Sequence, residues 1–286
     1  MAITQTKRPT HEWPLLILAV AVVCSICIPL WQWSSHQSPQ DHPWGPTLER
    51  ASRLLLGPEQ IAIYCCFTWG ALILLSRYLE MRRQRRAFNL GLLPTEEGAR
   101  ILPEDARPLQ RRVDQIAAAR GPFILANMIR LALGKYAISR SSRDVSETVR
   151  MQGEVELGRM VTTMATVHYL AWAIPALGFL GTVRGLAMGL GMANEVEGVR
   201  METVSKFLAD STRHLNFAFD CTLVALALSV PIMFLIHSVQ RDEESLVIDC
   251  QQYCLEHLVN RLYEPASQPE ATVEVQPRPA VRARIS

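Results

Sequence analysis

The sequence has little net charge and none of the common catalytic motifs. Lys and Arg number 29 against 27 Asp and Glu, which leaves a formal net charge of +2 over 286 residues. No basic stripe with interleaved aromatic residues is present, and this argues against nucleic-acid binding. The sequence also has no Gly-rich phosphate loop after a strand, no nucleophile elbow and no His-Glu-x-x-His motif. We therefore expect no enzymatic activity, no cofactor and no nucleic-acid partner.

Cysteine is too scarce, and too often placed in apolar runs, to form the disulfide framework of a secreted protein. The seven cysteines are better explained as small apolar side chains that fill space. Cys24 with Cys27, and Cys250 with Cys254, have spacings that metal or redox pairs also use. No second pair with histidine stands near either of them. We predict no metal site and keep a metal or redox pair as the alternative.

Four long apolar runs dominate the sequence, over residues 13–33, 61–75, 170–193 and 216–237. About 20 helical residues cross the roughly 30 Å hydrocarbon core of a bilayer. The first run has tryptophan at both ends, as expected at the two membrane interfaces. A cleaved signal peptide is the alternative, but no small-x-small cleavage site follows promptly. We predict an all-α polytopic membrane protein with four transmembrane helices and a large cytoplasmic helical region.

Arginine sets the expected orientation. The second run is followed directly by Arg77, Arg82, Arg83, Arg85 and Arg86. Because positive residues stay on the cytoplasmic side, both termini and the region between runs two and three are expected to be cytoplasmic. The expected segments are a cytoplasmic N-terminus (1–12), two transmembrane helices with a short periplasmic loop (13–80), a cytoplasmic helical region (81–165), transmembrane helices three and four (166–240), a cytoplasmic helix (241–264) and a disordered tail (265–286). The charged face of region 81–165 is expected to be solvated, with a docking surface for a cytosolic partner as the alternative.

Small residues form a stripe along one face of each of the last two runs. The stripe of the third run consists of Gly178, Gly181, Gly185 and Gly189. The stripe of the fourth run consists of Ala218, Thr222, Ala225 and Ser229. Such stripes let two helix backbones approach each other closely within a membrane. We predict that these residues form helix-packing faces.

Four polar residues on these two runs are candidates for function. Thr182 and Thr222 lie on the small-residue faces, where hydroxyl groups around a pore would make a narrow, uncharged polar path for an ion. In the alternative, each hydroxyl donates to the carbonyl four residues earlier and the threonine only packs. Arg184 and Asp220 are charges at similar depth, and a charge within a span is costly unless it is paired or hydrated. We expect these two to pair as a structural bridge, with a gating role as the alternative.

Two motifs resemble the MotA/TolQ/ExbB proton-channel family. Residues 175–185, PALGFLGTVRG, look like its P-x-L-G-x-L-G-T-V-x-G signature, and residues 218–231 look like its last transmembrane helix. The similar region covers about residues 140–260 and keeps the order of elements: cytoplasmic helices, span, short outer loop, span, cytoplasmic helix. The first span is extra relative to TolQ and ExbB and is closer to the MotA arrangement. Arg184 and Asp220 stand where many relatives have uncharged residues.

The resemblance implies a multi-pass subunit of a proton-driven motor or stator in the bacterial inner membrane. Such subunits form a homopentamer, surrounded by lipid, around the helices of two single-span partners of the MotB/TolR/ExbD type. An aspartate on each partner helix carries the ion. Thr182 and Thr222 match the pore-lining threonines, and the glycines match the close-packed faces. Whether protons or sodium ions move, and which process is powered, stay open. The alternative is a non-conducting membrane scaffold that assembles a partner protein.

Overall fold

The described part of the chain is entirely helical. The computed structural model describes residues 12–36, 57–93, 100–191 and 201–263. Within these ranges the helices are α1 (Glu12–His36), α2 (Pro58–Arg85), α3 (Ala106–Arg120), α4 (Ile124–Ser139), α5 (Ser142–Gly191) and α6 (Met201–His257). Short 3₁₀ turns follow α2 and α6, and the described residues contain one isolated β-bridge but no strand. The all-α prediction is confirmed, while the predictions for residues 1–11, for most of the 37–58 connection and for the 265–286 tail lie outside the described residues.

In the described part of the chain, three helices are long and apolar enough to cross a membrane. They are α2 with its following turn (Pro58–Leu90), α5 (Ser142–Gly191) and the part of α6 from Phe207 onward. The apolar part of α1, Trp13–Pro29, is shorter. These lengths and compositions indicate a multi-pass membrane protein. Four spans, the number expected from the sequence, stay a prediction.

Helices α5 and α6 continue far beyond their apolar parts. Their 50 and 57 residues correspond to about 75 and 85 Å at 1.5 Å per residue, against a hydrocarbon core of about 30 Å. The sequence predicts that α5 runs into the third apolar run without a break, and this is confirmed. The sequence predicts a polar connection over 194–215 with one or two amphipathic helical turns. The structure instead has continuous helix from Met201 onward, and the charges at 240–244 do not end α6. Residues 201–257 contain no glycine, and charged side chains are compatible with a solvated helix, so the charges do not end it. Pro231 lies inside the helix, within its apolar part, and does not end it either.

Two apolar cores lie one above the other along this bundle. We call the end where α2 carries Arg82, Arg83 and Arg85 the Arg-rich end, and the end where α2 begins at Pro58 the opposite end. At the Arg-rich end, α3 packs on α4, and α4 packs on the extensions of α5 and α6, with Leu133, Tyr136 and Val247 among the fully buried residues. The second core joins α2, α5 and α6 within their apolar parts and includes Ile63, Ile174, Ile232 and Ile236.

A buried ion pair ties α2 to α6 between these cores. Arg77 Nε donates to Glu243 Oε1 at 3.0 Å, and Arg77 Nη2 donates to Glu243 Oε2 at 3.3 Å. Their side chains are only 14% and 8% exposed. The two parallel contacts satisfy both carboxylate oxygens, which is the arrangement a buried carboxylate needs. The pair therefore fixes the position of α2 along the axis of α6.

Replacing Glu243 with glutamine removes the negative charge and leaves Arg77 buried without it. We expect Glu243→Gln to lower the free energy of unfolding by about 3 kcal/mol, as for other broken buried pairs. Denaturant titration of the detergent-solubilised protein measures this. The exposed neighbour Glu244 supplies the control: Glu244→Gln should change stability by less than about 0.5 kcal/mol. Equal stability of the two variants would contradict the role of the pair.

Candidate functional site

The backbones of α5 and α6 come closest within their apolar parts. The contact places Gly178, Gly181 and Gly185 of α5 against Ala225, Cys221 and Ala218 of α6. A Cβ atom added at Gly181 would lie 2.7 Å from the Cβ of Cys221, and one at Gly185 would lie 2.8 Å from the Cβ of Ala218. Cβ atoms do not tolerate such distances, so this contact requires glycine. We call it the glycine contact.

The contact loosens at its Gly189 end. A Cβ at Gly189 would lie 3.5 Å from the Cβ of His214, an ordinary van der Waals distance. Gly189 thus lies on the packed face without being forced to be small. Toward the Arg-rich end, Ser229 is buried and its hydroxyl donates to the carbonyl of Leu226 at 3.0 Å.

The glycine contact brings Thr182 and Thr222 to adjacent positions on opposite helices. Thr182 Oγ1 lies 3.1 Å from the carbonyl oxygen of Gly178 and 3.4 Å from that of Ala218, one helical turn before Thr222. Thr222 Oγ1 donates to the carbonyl of Phe219 at 3.0 Å. Each hydroxyl hydrogen is therefore used by a backbone carbonyl, and each hydroxyl oxygen keeps its capacity to accept a hydrogen bond.

Arg184 has a different partner from the one expected. Its Nη1 donates to Glu59 Oε1 in the first turn of α2. Within the ranges that the structure describes, Asp220 has no ionic partner. The pairing of Arg184 with Asp220 is thus replaced by one with Glu59. The reason is the side of α5 on which Arg184 lies: Gly181, one turn earlier, also borders Glu59, with its Cβ position 3.5 Å from the Cβ of Glu59.

Sequence analysis missed Glu59 and Gln60, which form a buried polar site at the opposite end of the bundle. They are only 7% and 0% exposed. Glu59 Oε2 and both polar side-chain atoms of Gln60 have no hydrogen-bond partner in the described part of the chain. The sequence signal for this site is an acidic residue directly after Gly57-Pro58, where a helix can begin. The second apolar run begins only at Ile61, so both residues lie outside it.

A separate cavity of about 960 Å³ lies at the Arg-rich end between α2, α4, α5 and α6. Its lining includes Arg77, Arg83, Arg159 and Glu156. Neither Thr182 nor Thr222 lines it. Among the described residues, no three His, Cys, Asp or Glu side chains lie close enough together to hold a metal ion. The polar residues of the glycine contact and of the Glu59 region are thus the candidate site.

Comparisons with protein families, characterised proteins and solved structures find no match to this chain. The resemblance to the MotA/TolQ/ExbB family rests on the residues of the two motifs, 175–185 and 218–231. The site has to be interpreted from its own geometry.

A methyl group added at Gly178 tests the glycine contact. It would overlap the Cβ of Ala225, which cannot move without the backbone of α6. We expect Gly178→Ala to lower the free energy of unfolding by about 1–3 kcal/mol, the usual cost of overpacking. Denaturant titration in detergent measures this cost.

Gly158, on the same helix, provides the matched control. A Cβ there meets no atom within 4 Å, so Gly158→Ala should be neutral or stabilising by up to about 1 kcal/mol through helix propensity. If Gly178→Ala were as stable as Gly158→Ala, the backbones of α5 and α6 would not be as close as described.

Proposed function

We propose that this chain is the ion-channel subunit of a proton-driven complex in the bacterial inner membrane. In this proposal it spans the membrane four times, has both termini in the cytoplasm, and couples the proton motive force to work through a single-span partner with a transmembrane aspartate. The observation that carries the proposal is the position of Thr182: a hydroxyl in the tightest contact between two apolar helices, one turn from a second threonine. The proposal makes Thr182 and Thr222 the polar groups along the ion path.

The surroundings of the two threonines have low polarity. Apolar side chains such as Phe179, Val183, Phe219 and Leu223 are exposed on both sides of the glycine contact. Lipid, further copies of the chain or a partner helix would cover them in a membrane. In such surroundings the threonine oxygens are among the few groups that can accept a hydrogen bond from water or from a protonated carboxyl group. A ring of copies, five in our proposal, would repeat these oxygens around two partner helices.

The lengths of α5 and α6 support the coupling part of the proposal. Each helix joins the candidate ion path to the core at the Arg-rich end without a break. A rigid, continuous helix transmits a displacement at one end to the other. Movement of a partner helix against the threonines would therefore reach the region that we place in the cytoplasm.

A non-conducting scaffold is the second candidate, and one observation favours it. Both threonine hydroxyls donate to backbone carbonyls within the protein, which is what a purely packing role requires. A scaffold should therefore tolerate valine at both positions, since valine has nearly the shape of threonine.

Proton flux into vesicles distinguishes these functions. The chain is co-expressed with a single-span protein of the MotB/TolR/ExbD type, and wild type is compared with Thr182→Val and Thr222→Val. We expect wild type to conduct and each valine variant to show a proton flux at least about tenfold lower. The reason is that valine lacks the oxygen that accepts a hydrogen bond. Assembly with the partner is checked by co-purification.

Thr212 is the matched control. It lies on α6, is exposed, and its hydroxyl donates to the carbonyl of Leu208 at 2.7 Å. Thr212→Val makes the same chemical change away from the glycine contact and should conduct like wild type. Conduction by all three variants would contradict the ion-path assignment, and absence of flux in the assembled wild type would favour the scaffold.

A further inference from the structure

The first turn of α2 holds polar atoms that the described protein does not satisfy. Glu59 uses Oε1 to accept from Arg184, whereas its Oε2 has no partner. Gln60, the next residue, is fully buried with both Oε1 and Nε2 unpaired. The site lies beside the glycine contact, because Glu59 borders Gly181 and Gly57 borders the ring of Phe217 on α6. We call Glu59, Gln60 and Arg184 the polar site.

The chemistry of these atoms restricts what can occupy the site. An anion would be repelled by the Glu59 carboxylate, and a metal cation would be repelled by the Arg184 guanidinium and would not satisfy the N–H groups of Gln60. Water both donates and accepts, so it can serve Glu59 Oε2, Gln60 Oε1 and Gln60 Nε2 together. Each unpaired buried polar group lowers the folding equilibrium by about 5- to 150-fold. Ordering one water lowers it by at most about 30-fold.

We propose that the polar site holds a small cluster of buried water molecules, and that this cluster is where protons enter the ion path from the opposite end of the bundle. The second half of this statement rests on the proposed channel function; the first half does not. A protonated water on the outer side of Glu59 transfers its extra proton to Oε2 and is left as neutral water. The carboxyl group then passes a proton to a second water on the side of Thr182, so one O–H bond forms as another breaks at each transfer. Glu59 ends each cycle as the carboxylate, and one proton has moved toward the ion path.

The position of the site agrees with an entry point. Glu59 borders Gly181, the neighbour of Thr182, and pairs with Arg184 two residues further along α5. The titratable groups that face it are Arg184 on α5 and Asp220 and Cys221 on α6, with His214 one to two turns earlier on α6. Arg184, whose side chain is 47% exposed, connects the buried carboxylate to the surface.

Stability tests the water cluster without reference to conduction. In a dry site, Gln60→Leu would replace two unsatisfied polar atoms with apolar ones and raise the folding equilibrium constant by tenfold or more. If water fills the site, the same change removes the hydrogen-bond partners of that water. We therefore expect the folding equilibrium constant of Gln60→Leu, measured by denaturant titration, to be equal to or lower than that of wild type. An increase of more than threefold overturns the proposal.

Gln84 provides the reference for a satisfied buried glutamine on the same helix. Its Nε2 donates to Glu80 Oε1 and to the carbonyl of Pro122, and its Oε1 accepts from the backbone N–H of Ile124. Gln84→Leu must lower the folding constant, by about tenfold or more, because it leaves those groups unpaired. A hydrated Gln60 should respond in the same direction as Gln84, and a dry one in the opposite direction.

Proton flux tests the entry point. Glu59→Gln keeps the shape of the side chain but cannot cycle a proton, so we expect at least a tenfold loss of flux in vesicles in which the variant still assembles with its partner. Gln60→Leu is assayed in parallel and should also lower the flux, which keeps the test valid if Glu59→Gln fails to fold. Asp210→Asn, an exposed carboxyl near the start of α6, should conduct like wild type.

The outcomes separate this inference from the proposed function. If assembled wild type does not conduct, the channel function and the entry point both fail, while the stability comparison still decides whether the site holds water. If wild type conducts and the Glu59 and Gln60 variants conduct equally well, the channel function stands and the entry point is overturned.

Discussion

The close approach of the α5 and α6 backbones is the constraint on which the rest of the structure depends. Lipid tails are as apolar as leucine, so helices in a membrane gain little from burying apolar surface against each other and rely on close packing instead. A contact that admits no Cβ at Gly181 or Gly185 has only one register. That register places Thr182 at the carbonyl of Ala218 and directs the following turn of α5, with Arg184, toward the first turn of α2.

Helix α2 is held against this pair by an ion pair near each end. Glu59 in its first turn pairs with Arg184 of α5, and Arg77 near its last turn pairs with Glu243 of α6. Between them the packing is apolar, with Gly70 close to Ile232. Removing Arg184 or Arg77 would leave a buried carboxylate, Glu59 or Glu243, without its counter-charge, so each pair resists sliding of α2 along its neighbours. Among the described residues, the buried side-chain atoms without a hydrogen-bond partner lie at the Glu59 end, whereas both carboxylate oxygens of Glu243 accept from Arg77 at the other end.

The sequence predicts those features that one helix face determines by itself. The glycine stripe could be found because residues four apart share a face whatever the partner helix is. The partner of Arg184 could not be predicted in this way. The sequence gives the depth of a charge in the membrane, but it does not show which of two neighbouring helices faces that side of α5. The end of α6 could not be predicted from the charges at 240–244, because charges mark where a membrane ends and are compatible with a solvated helix. The continuity of α5 could be predicted although the helix contains Pro175 and the glycine stripe, because no turn separates its charged part from its apolar run.

Packing and conduction make compatible demands on Thr182 and Thr222. A threonine hydroxyl that donates to a helix carbonyl has satisfied its own hydrogen, and this fixes the side chain in one rotamer. The oxygen then presents its remaining lone pair in a fixed direction and accepts from whatever approaches. A serine side chain would be freer to rotate, and a valine side chain would offer no hydrogen-bond acceptor. The hydrogen bonds to the backbone that favour a scaffold would therefore also hold an acceptor in place along an ion path. The geometry within one chain is thus compatible with the proposed channel function. The property that decides between the two functions is the hydroxyl oxygen as a hydrogen-bond acceptor.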